Sequence, residues 1–309
     1  MVTEQDRLGD LKVGVIGGGV VGQATARSWL EYAAEVGVWD IDEKRATVSA
    51  AWNLYECDLL YLCLPTNPGE DGTLDTSLLE TAVRQLGEWV AREQVDPERL
   101  PMVLVKSTVP LDTTNELCRI FHEASGTVDG TILICHQPEF LTARCAIHDA
   151  NIPTQTPIGV AVTDNDDSTR ARLELADMLA DILLARFGTP ALVTVARNTE
   201  MAKLCANTFF AAKVAIFNAF RQLAVADIDA LPADQQQREW EGVRAILMAD
   251  GRIAPNHTRV PGPDGELGYG GACLPKDLGQ LAREFADLEL YGAANLFQAV
   301  ADLNEALRK

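Results

Sequence analysis

The segment Gly17-Gly18-Gly19-Val20-Val21-Gly22 limits what this chain can fold into more than any other. It follows a short apolar run, Lys12–Ile16, that reads as a strand, and residues 20–32 after it have helical periodicity. Glycines spaced G-x-G-x-x-G between a strand and a helix are the fingerprint of a dinucleotide-binding unit. Gly17 takes the tight turn, Gly19 lets a pyrophosphate approach the backbone, and Gly22 lets helix and strand pack. Val20 and Val21 complete the loop. A second strand, residues 36–39, ends at Asp40, where the fingerprint places its ribose-binding acid. A carboxylate there repels a 2′-phosphate, so NAD is expected over NADP. Arg45 lies near enough in sequence to touch the adenosine side.

The alternation continues. Residues 58–64, 102–106, 131–135, 157–162 and Ala191–Val195 read as strands, and 76–92, 112–123 and 168–186 as helices. Such alternation predicts a Rossmann-type α/β fold, a doubly wound parallel sheet. Three of these strands run into loops that bear Pro65-Thr66, Ser107-Thr108 and Pro138-Glu139-Phe140-Leu141-Thr142. Ligands of doubly wound sheets bind beyond the carboxyl ends of strands. The loops are therefore either the walls of one crevice or ordinary turn chemistry.

From Asn198 the character changes. Residues 199–226 contain neither proline nor glycine and are apolar almost all round, the pattern of a buried helix. Glu200, Lys203, Asn207 and Asn218 fall on one side of it as a narrow polar stripe. Buried unpaired, each would cost on the order of 1–3 kcal/mol or more, so the stripe needs a ligand, a neighbouring chain or an internal network. Further helices are expected over 233–250, 277–285 and 293–307. The chain thus divides into a nucleotide-binding domain, 1–198, and a smaller all-helical domain with a long central helix, 199–309. So long an apolar helix in so small a domain points to a homodimer built on 199–226.

Gly268-Tyr269-Gly270-Gly271-Ala272-Cys273 leads into Lys276 and Asp277. Glycines strip side chains from the approach to the thiol, and a nearby cation favours thiolate. The turn holds either a nucleophile or a buried, inert cysteine. The loop 251–267 before it carries Arg252, His257 and Arg259, which either bind an anion or form a solvated face.

A net charge of −19 argues against nucleic acid or an anionic membrane as partner. No run approaches a membrane span, and the polar start lacks a signal-peptide pattern. Seven scattered cysteines point to a reduced, cytoplasmic protein. Neither they nor the four histidines show metal-ligand spacing, so no metal is expected.

Together these motifs resemble the UDP-glucose/GDP-mannose dehydrogenase family, in order along the whole chain. The resemblance rests on Gly17 to Gly22, Asp40, Leu64-Pro65-Thr66, Lys106-Ser107-Thr108-Val109-Pro110, Pro138-Glu139-Phe140-Leu141, Glu200-Met201-Ala202-Lys203 with Asn207, and Gly268 to Asp277. It implies NAD-dependent, four-electron oxidation of a nucleotide sugar at C6. UDP-glucose is the first choice of substrate, and a UDP-2-acetamido sugar or GDP-mannose the runner-up. Cys273 would form a thiohemiacetal and then a thioester, while Lys203 and Asn207 stabilise the oxyanion. Glu139 and Asp277 would handle protons, and Thr108 would orient a water. Phe140, Leu141, Thr142, Tyr269 and Gly270 would line the substrate site, and Arg252 would reach substrate across a dimer interface. Pro65, Thr66, Ser107, Lys276 and Arg45 would contact the cofactor. Ala143 departs from the family's usual acid, Gln137 from its Asn and Ala219 from its Glu. The resemblance also implies a third, nucleotide-clamping domain after Lys309, so the chain reads as a short or truncated form. A non-catalytic NAD-binding partner subunit and a two-electron hydroxyacid dehydrogenase are the other readings; the complete residue set disfavours the first and Cys273 the second.

Overall fold

The computed structural model describes residues 8–48 and 53–309. They fall into two compact units. One comprises residues up to 69 with 74–203, and the other 70–73 with 204–309.

The first unit is built on a seven-stranded sheet: β1 (Lys12–Ile16), β2 (Glu35–Trp39), β3 (Leu59–Leu62), β4 (Met102–Val105), β5 (Ile134–His136), β6 (Thr156–Val160) and β7 (Ala191–Val195), in the order β2-β1-β3-β4-β5-β6-β7. The all-aliphatic or aromatic run of β3 shows why the sheet must be covered twice. Leu60 and Leu62 face one core with Leu79, Leu86 and Phe121, from α2 (Ser77–Glu93) and α3 (Thr113–Ser125). Leu59 and Tyr61 face the other with Trp29, Leu179 and Leu183, from α1 (Val20–Trp29) and α5 (Asp166–Phe187). Side chains alternate across a strand with period two, so one strand feeds both layers. This is the doubly wound α/β architecture that the glycine fingerprint predicts.

The sheet departs from the fully parallel expectation at one place, since β6 pairs antiparallel with β5. A parallel return needs a crossover long enough to span the sheet. The residues between β5 and β6 form only a 3-10 turn, Ala143–Cys145, and one short α-helix, α4 (Ala146–Asn151), about 9 Å long. Residues 137–155 therefore begin β6 at the end of the sheet where β5 finishes, and β7 runs parallel to β6.

Helix α6 (Ala196–Val225) starts in the first unit and continues into the second. There it is joined by α7 (Ala233–Ala249), α8 (Leu274–Asp287) and α9 (Tyr291–Leu307). Ala211 and Ala215 pack with Tyr269, Leu278 and Phe297, and Phe217 with Trp240 and Val260. The expectation that α6 is buried all round is corrected. Phe209, Ile216, Phe220 and Leu223 are exposed, Phe209 by 63% and Leu223 by 79%. The other helices of the unit pack one side of α6 and leave these four residues outside. Among the described residues, no helix is long and apolar enough to cross a membrane.

Candidate active site

At the glycine loop, each fingerprint residue has a steric reason. Gly17 has φ +100°, and a Cβ on it would lie 2.4 Å from the Cys63 carbonyl oxygen. A Cβ on Gly22 would lie 1.8 Å from the Gly17 carbonyl oxygen, so only glycine lets α1 pack onto its own turn. Gly19 has nothing within 4 Å of its Cβ position, and it caps α1 without a side-chain hydrogen bond. The helix entrance beside Val20 and Val21 is thus open, with first-turn N–H groups that suit an anion. Asp40 accepts from Gly18 N–H at 2.6 Å through one oxygen and from Asp42 N–H at 2.8 Å through the other. Each carboxylate oxygen keeps a second lone pair that can receive a ribose hydroxyl. Arg45 forms a 3.4 Å ion pair with Asp42, and its carbonyl accepts from the Gln23 amide. The loop fits a dinucleotide.

Beyond the carboxyl ends of β3 and β4 the loops are laced together. Thr66 Oγ1 donates to the Thr108 carbonyl and Ser107 Oγ to the Leu64 carbonyl, both at 2.6 Å. Pro65 lies between these tethers. Next to them is His136, fully buried at the end of β5. The Ser107 carbonyl can only accept, so His136 Nε2 carries the proton it shares at 3.2 Å, and Nδ1 faces Thr199 Oγ1 at 2.9 Å. Burial pushes the His136 pKa down to about 3, which keeps the ring neutral.

The loop after β5 and the start of α6 meet at an ion pair. Lys203 Nζ lies 3.0 Å from Glu139 Oε1 and donates to the Glu139 carbonyl at 2.5 Å, with the Phe140 ring centroid 5.2 Å away. Glu139 Oε2 accepts from Leu141 N–H at 2.6 Å, and Thr142 N–H donates to Asp149 at 2.8 Å. Lys106 donates to Gln137 at 3.3 Å, and its burial pushes its pKa down. One turn before Lys203, the wholly buried Glu200 accepts from Asp112 N–H, Thr114 N–H and Thr114 Oγ1. It therefore caps α3 from outside that helix, and burial pushes its pKa up.

In the second unit, the cysteine turn differs from expectation in one useful respect. The helix begins at Leu274 rather than Asp277, with Pro275 in its first turn and Cys273 at its N-cap. Proline at a helix start is tolerated because its missing N–H has no partner to lose. Cys273 is exposed, and the N–H groups beside it favour negative charge. Asp277, in the first turn and fully buried, accepts from Asn207 Nδ2 at 2.5 Å. Its other oxygen lies 2.7 Å from Lys276 Nζ, so that ammonium is directed at Asp277. Gly268 and Gly271 have φ +71° and +80°. The turn is clasped by two amides: Asn218 Oδ1 accepts from Gly268 N–H at 3.0 Å, and Asn304 bonds both N–H and carbonyl of the buried Tyr269. A Cβ on Gly268 would lie 2.4 Å from Asn304 Oδ1, and one on Gly270 2.6 Å from Arg308 Nη1.

All four residues of the polar stripe on α6 are buried and find partners inside the chain, which resolves the stripe as an internal network. Arg252 is bound to Asp250 at the surface, His257 stacks on Phe210 at 4.5 Å, and Arg259 is exposed. Nothing in the sequence marked His136 or Asn304 for these roles, since each is a lone polar residue whose partner is distant in sequence.

The family model described as UDP-glucose/GDP-mannose dehydrogenase family, NAD binding domain, matches residues 44–174, and that family's central domain matches 197–306. The UDP-glucose 6-dehydrogenase AglM of Haloferax volcanii is 30% identical over 96% of this chain and 70% of its own length. A UDP-glucose 6-dehydrogenase of Rhizobium meliloti is 29% identical over 80% of this chain and 48% of its own. A solved structure of a UDP-glucose dehydrogenase from Pyrobaculum islandicum superposes with a TM-score of 0.75 at 25% identity, covering 97% of this chain and 69% of that one. The chain spans about half the length of several curated relatives it matches. With an NAD-binding domain and a central domain both matched in order, this chain belongs to the UDP-glucose/GDP-mannose dehydrogenase family.

Proposed function

We propose that this chain oxidises the C6 alcohol of a nucleotide sugar to the carboxylate, with UDP-glucose as the substrate of choice. The observation that carries the reading is the cysteine turn. Cys273, its side chain exposed, sits at the N-cap of a helix, positive-φ glycines precede it, and the fully buried Asp277 in the first turn is bound by Asn207 and Lys276. A two-electron alcohol oxidation needs no such thiol.

NAD supplies the chemistry of a hydride acceptor, once for each of the two oxidations. Gly17, Gly19, Val20, Val21, Gly22 and Asp40 would hold it, with Arg45, Pro65, Thr66, Ser107 and Lys276 as further contacts. In the first oxidation the alcohol loses a hydride from C6 and a proton to the Glu139–Lys203 pair, leaving an aldehyde. Cys273, as thiolate, then bonds to the aldehyde carbon, and the resulting oxyanion is met by Lys203 and Asn207. Loss of a second hydride turns the thiohemiacetal into a thioester. That first proton passes to solvent; water, oriented by Thr108 and deprotonated by Glu139 or Asp277, then adds to the thioester carbon, the C–S bond breaks, the acid leaves and Cys273 takes the proton back. Phe140, Leu141, Thr142, Tyr269 and Gly270 shape the sugar site. The exposed apolar face of α6 supports a homodimer, in which Arg252 serves the partner's substrate.

The test is NADH produced per sugar consumed, across UDP-glucose, a UDP-2-acetamido sugar and GDP-mannose. Two NADH per sugar is the expected result. One NADH per sugar would leave a simple alcohol dehydrogenase, and none with any sugar would leave an NAD-binding partner subunit.

A further inference from the structure

The cleft at the glycine loop carries cations that the fingerprint does not require. Lys44 and Arg45, after β2, and Arg144 and His148, after Glu139, line one open cleft with Gly18 and Gly19. Two stretches about a hundred residues apart thus bring four basic side chains to one place, in a chain of net charge −19. Arg45 is held by Asp42, and His148 lies 3.3 Å from Asp149. Lys44 and Arg144 are exposed, and neither enters an ion pair among the described residues. Like charges gathered in a cleft raise one another's energy unless an anion sits among them.

We infer that Arg144, assisted by Lys44, is a binding contact to the phosphates of the dinucleotide. A guanidinium presents paired N–H groups in a plane, the geometry that phosphate oxygens accept in bidentate fashion. Two phosphate sources share that chemistry: the bridging pyrophosphate present in every nicotinamide dinucleotide, and the 2′-phosphate present only in NADP. The inference rests on the chain's place in an NAD-binding family. It does not depend on which sugar is oxidised, because binding is read without sugar.

The experiment titrates NADH and NADPH by fluorescence into the parent, Arg144→Ala, Arg144→Lys and Lys44→Ala, at low and high salt. Arg144→Ala is expected to weaken binding about tenfold, the effect of one lost charge-assisted contact. Arg144→Lys should recover part of the loss, and the deficit should shrink at high salt through screening. An equal deficit for both nucleotides assigns the contact to the pyrophosphate; a deficit confined to NADPH assigns it to the 2′-phosphate. Parent-like dissociation constants for both nucleotides in Arg144→Ala overturn the inference. So does a parent that binds neither. Arg144 is exposed, so parent-like melting is expected of its variants and separates a binding effect from a folding one. A parent that binds NADH but oxidises no nucleotide sugar defeats the proposed activity and leaves this contact standing.

Discussion

Acidification should weaken the first unit through His136 in particular. An imidazole in the unfolded chain has a pKa of about 6.5, whereas burial holds that of His136 near 3. Because the folded value is the lower one, the stabilisation is present above pH 6.5 and is lost as pH falls toward 3. At pH 5 the unfolded ring is protonated and the folded ring is not. The difference is about 1.5 units, at about 1.4 kcal/mol per unit, or about 2 kcal/mol. That is a large fraction of the 5–15 kcal/mol typical of a domain, as an order of magnitude of roughly that size. The comparison is parent against His136→Gln, an uncharged side chain that can keep a donor toward the Ser107 carbonyl, by urea denaturation at pH 7 and pH 5. Carboxylates titrate in both proteins and cancel, as does His122, which burial also pushes down. The parent should lose about 2 kcal/mol more than the variant on going to pH 5. Equal losses in the two proteins would falsify the assignment of a buried, neutral His136.

Other outcomes follow from single contacts. Glu200→Ala strands three donors at the start of α3 and should cost about 3 kcal/mol, read as a lower urea midpoint; a parent-like midpoint would show that water serves α3 equally well. Cys273→Ser should stop near one NADH per sugar in a single turnover, because a serine alkoxide is scarce near neutral pH; two NADH at the parent rate would remove the covalent step. Phe209→Glu with Leu223→Glu should turn a dimer into a monomer by sedimentation at micromolar concentration. A parent already monomeric there refutes the α6 interface. Asp40→Ser should narrow the preference for NAD over NADP in kcat/KM, and an unchanged ratio would remove Asp40 from cofactor selection.

The fold was legible where one physical cause dominates a short stretch. Glycines at 17, 19 and 22 announce a turn that no side chain can occupy, and the apolar run at β3 announces a strand covered on both faces. The direction of β6 was not legible, because it depends on how far residues 137–155 travel, not on any local pattern. The start of α8 was misplaced because Pro275 argues against a helix except in its first turn, and only the position of Cys273 reveals that it is there. The long helix illustrates the limit of composition. An apolar surface reads the same whether it is packed against its own chain or left open for another. The polar stripe was visible by spacing, but its partners were not: Asp112 and Thr114 lie 88 and 86 residues from Glu200, and Asp277 lies 70 from Asn207.

The reversal of β6 and β7 turns α6 into a ruler. Both strands finish at the end of the sheet where β5 begins, so the helix that follows must travel back along it. Gly159 makes room for its first turn, since a Cβ there would lie 2.1 Å from Thr199 Oγ1. From Ala196 to Lys203 the helix advances about 10 Å, close to the length of the three-residue strand beside it. Ala196, Thr199 and Lys203 fall on one face at that spacing. A single inserted residue would rotate everything after it by about 100° and advance it by about 1.5 Å, carrying Lys203 away from Glu139 with no loop to take up the error. Side chains along this segment can be exchanged, but the number of residues between β7 and Lys203 cannot.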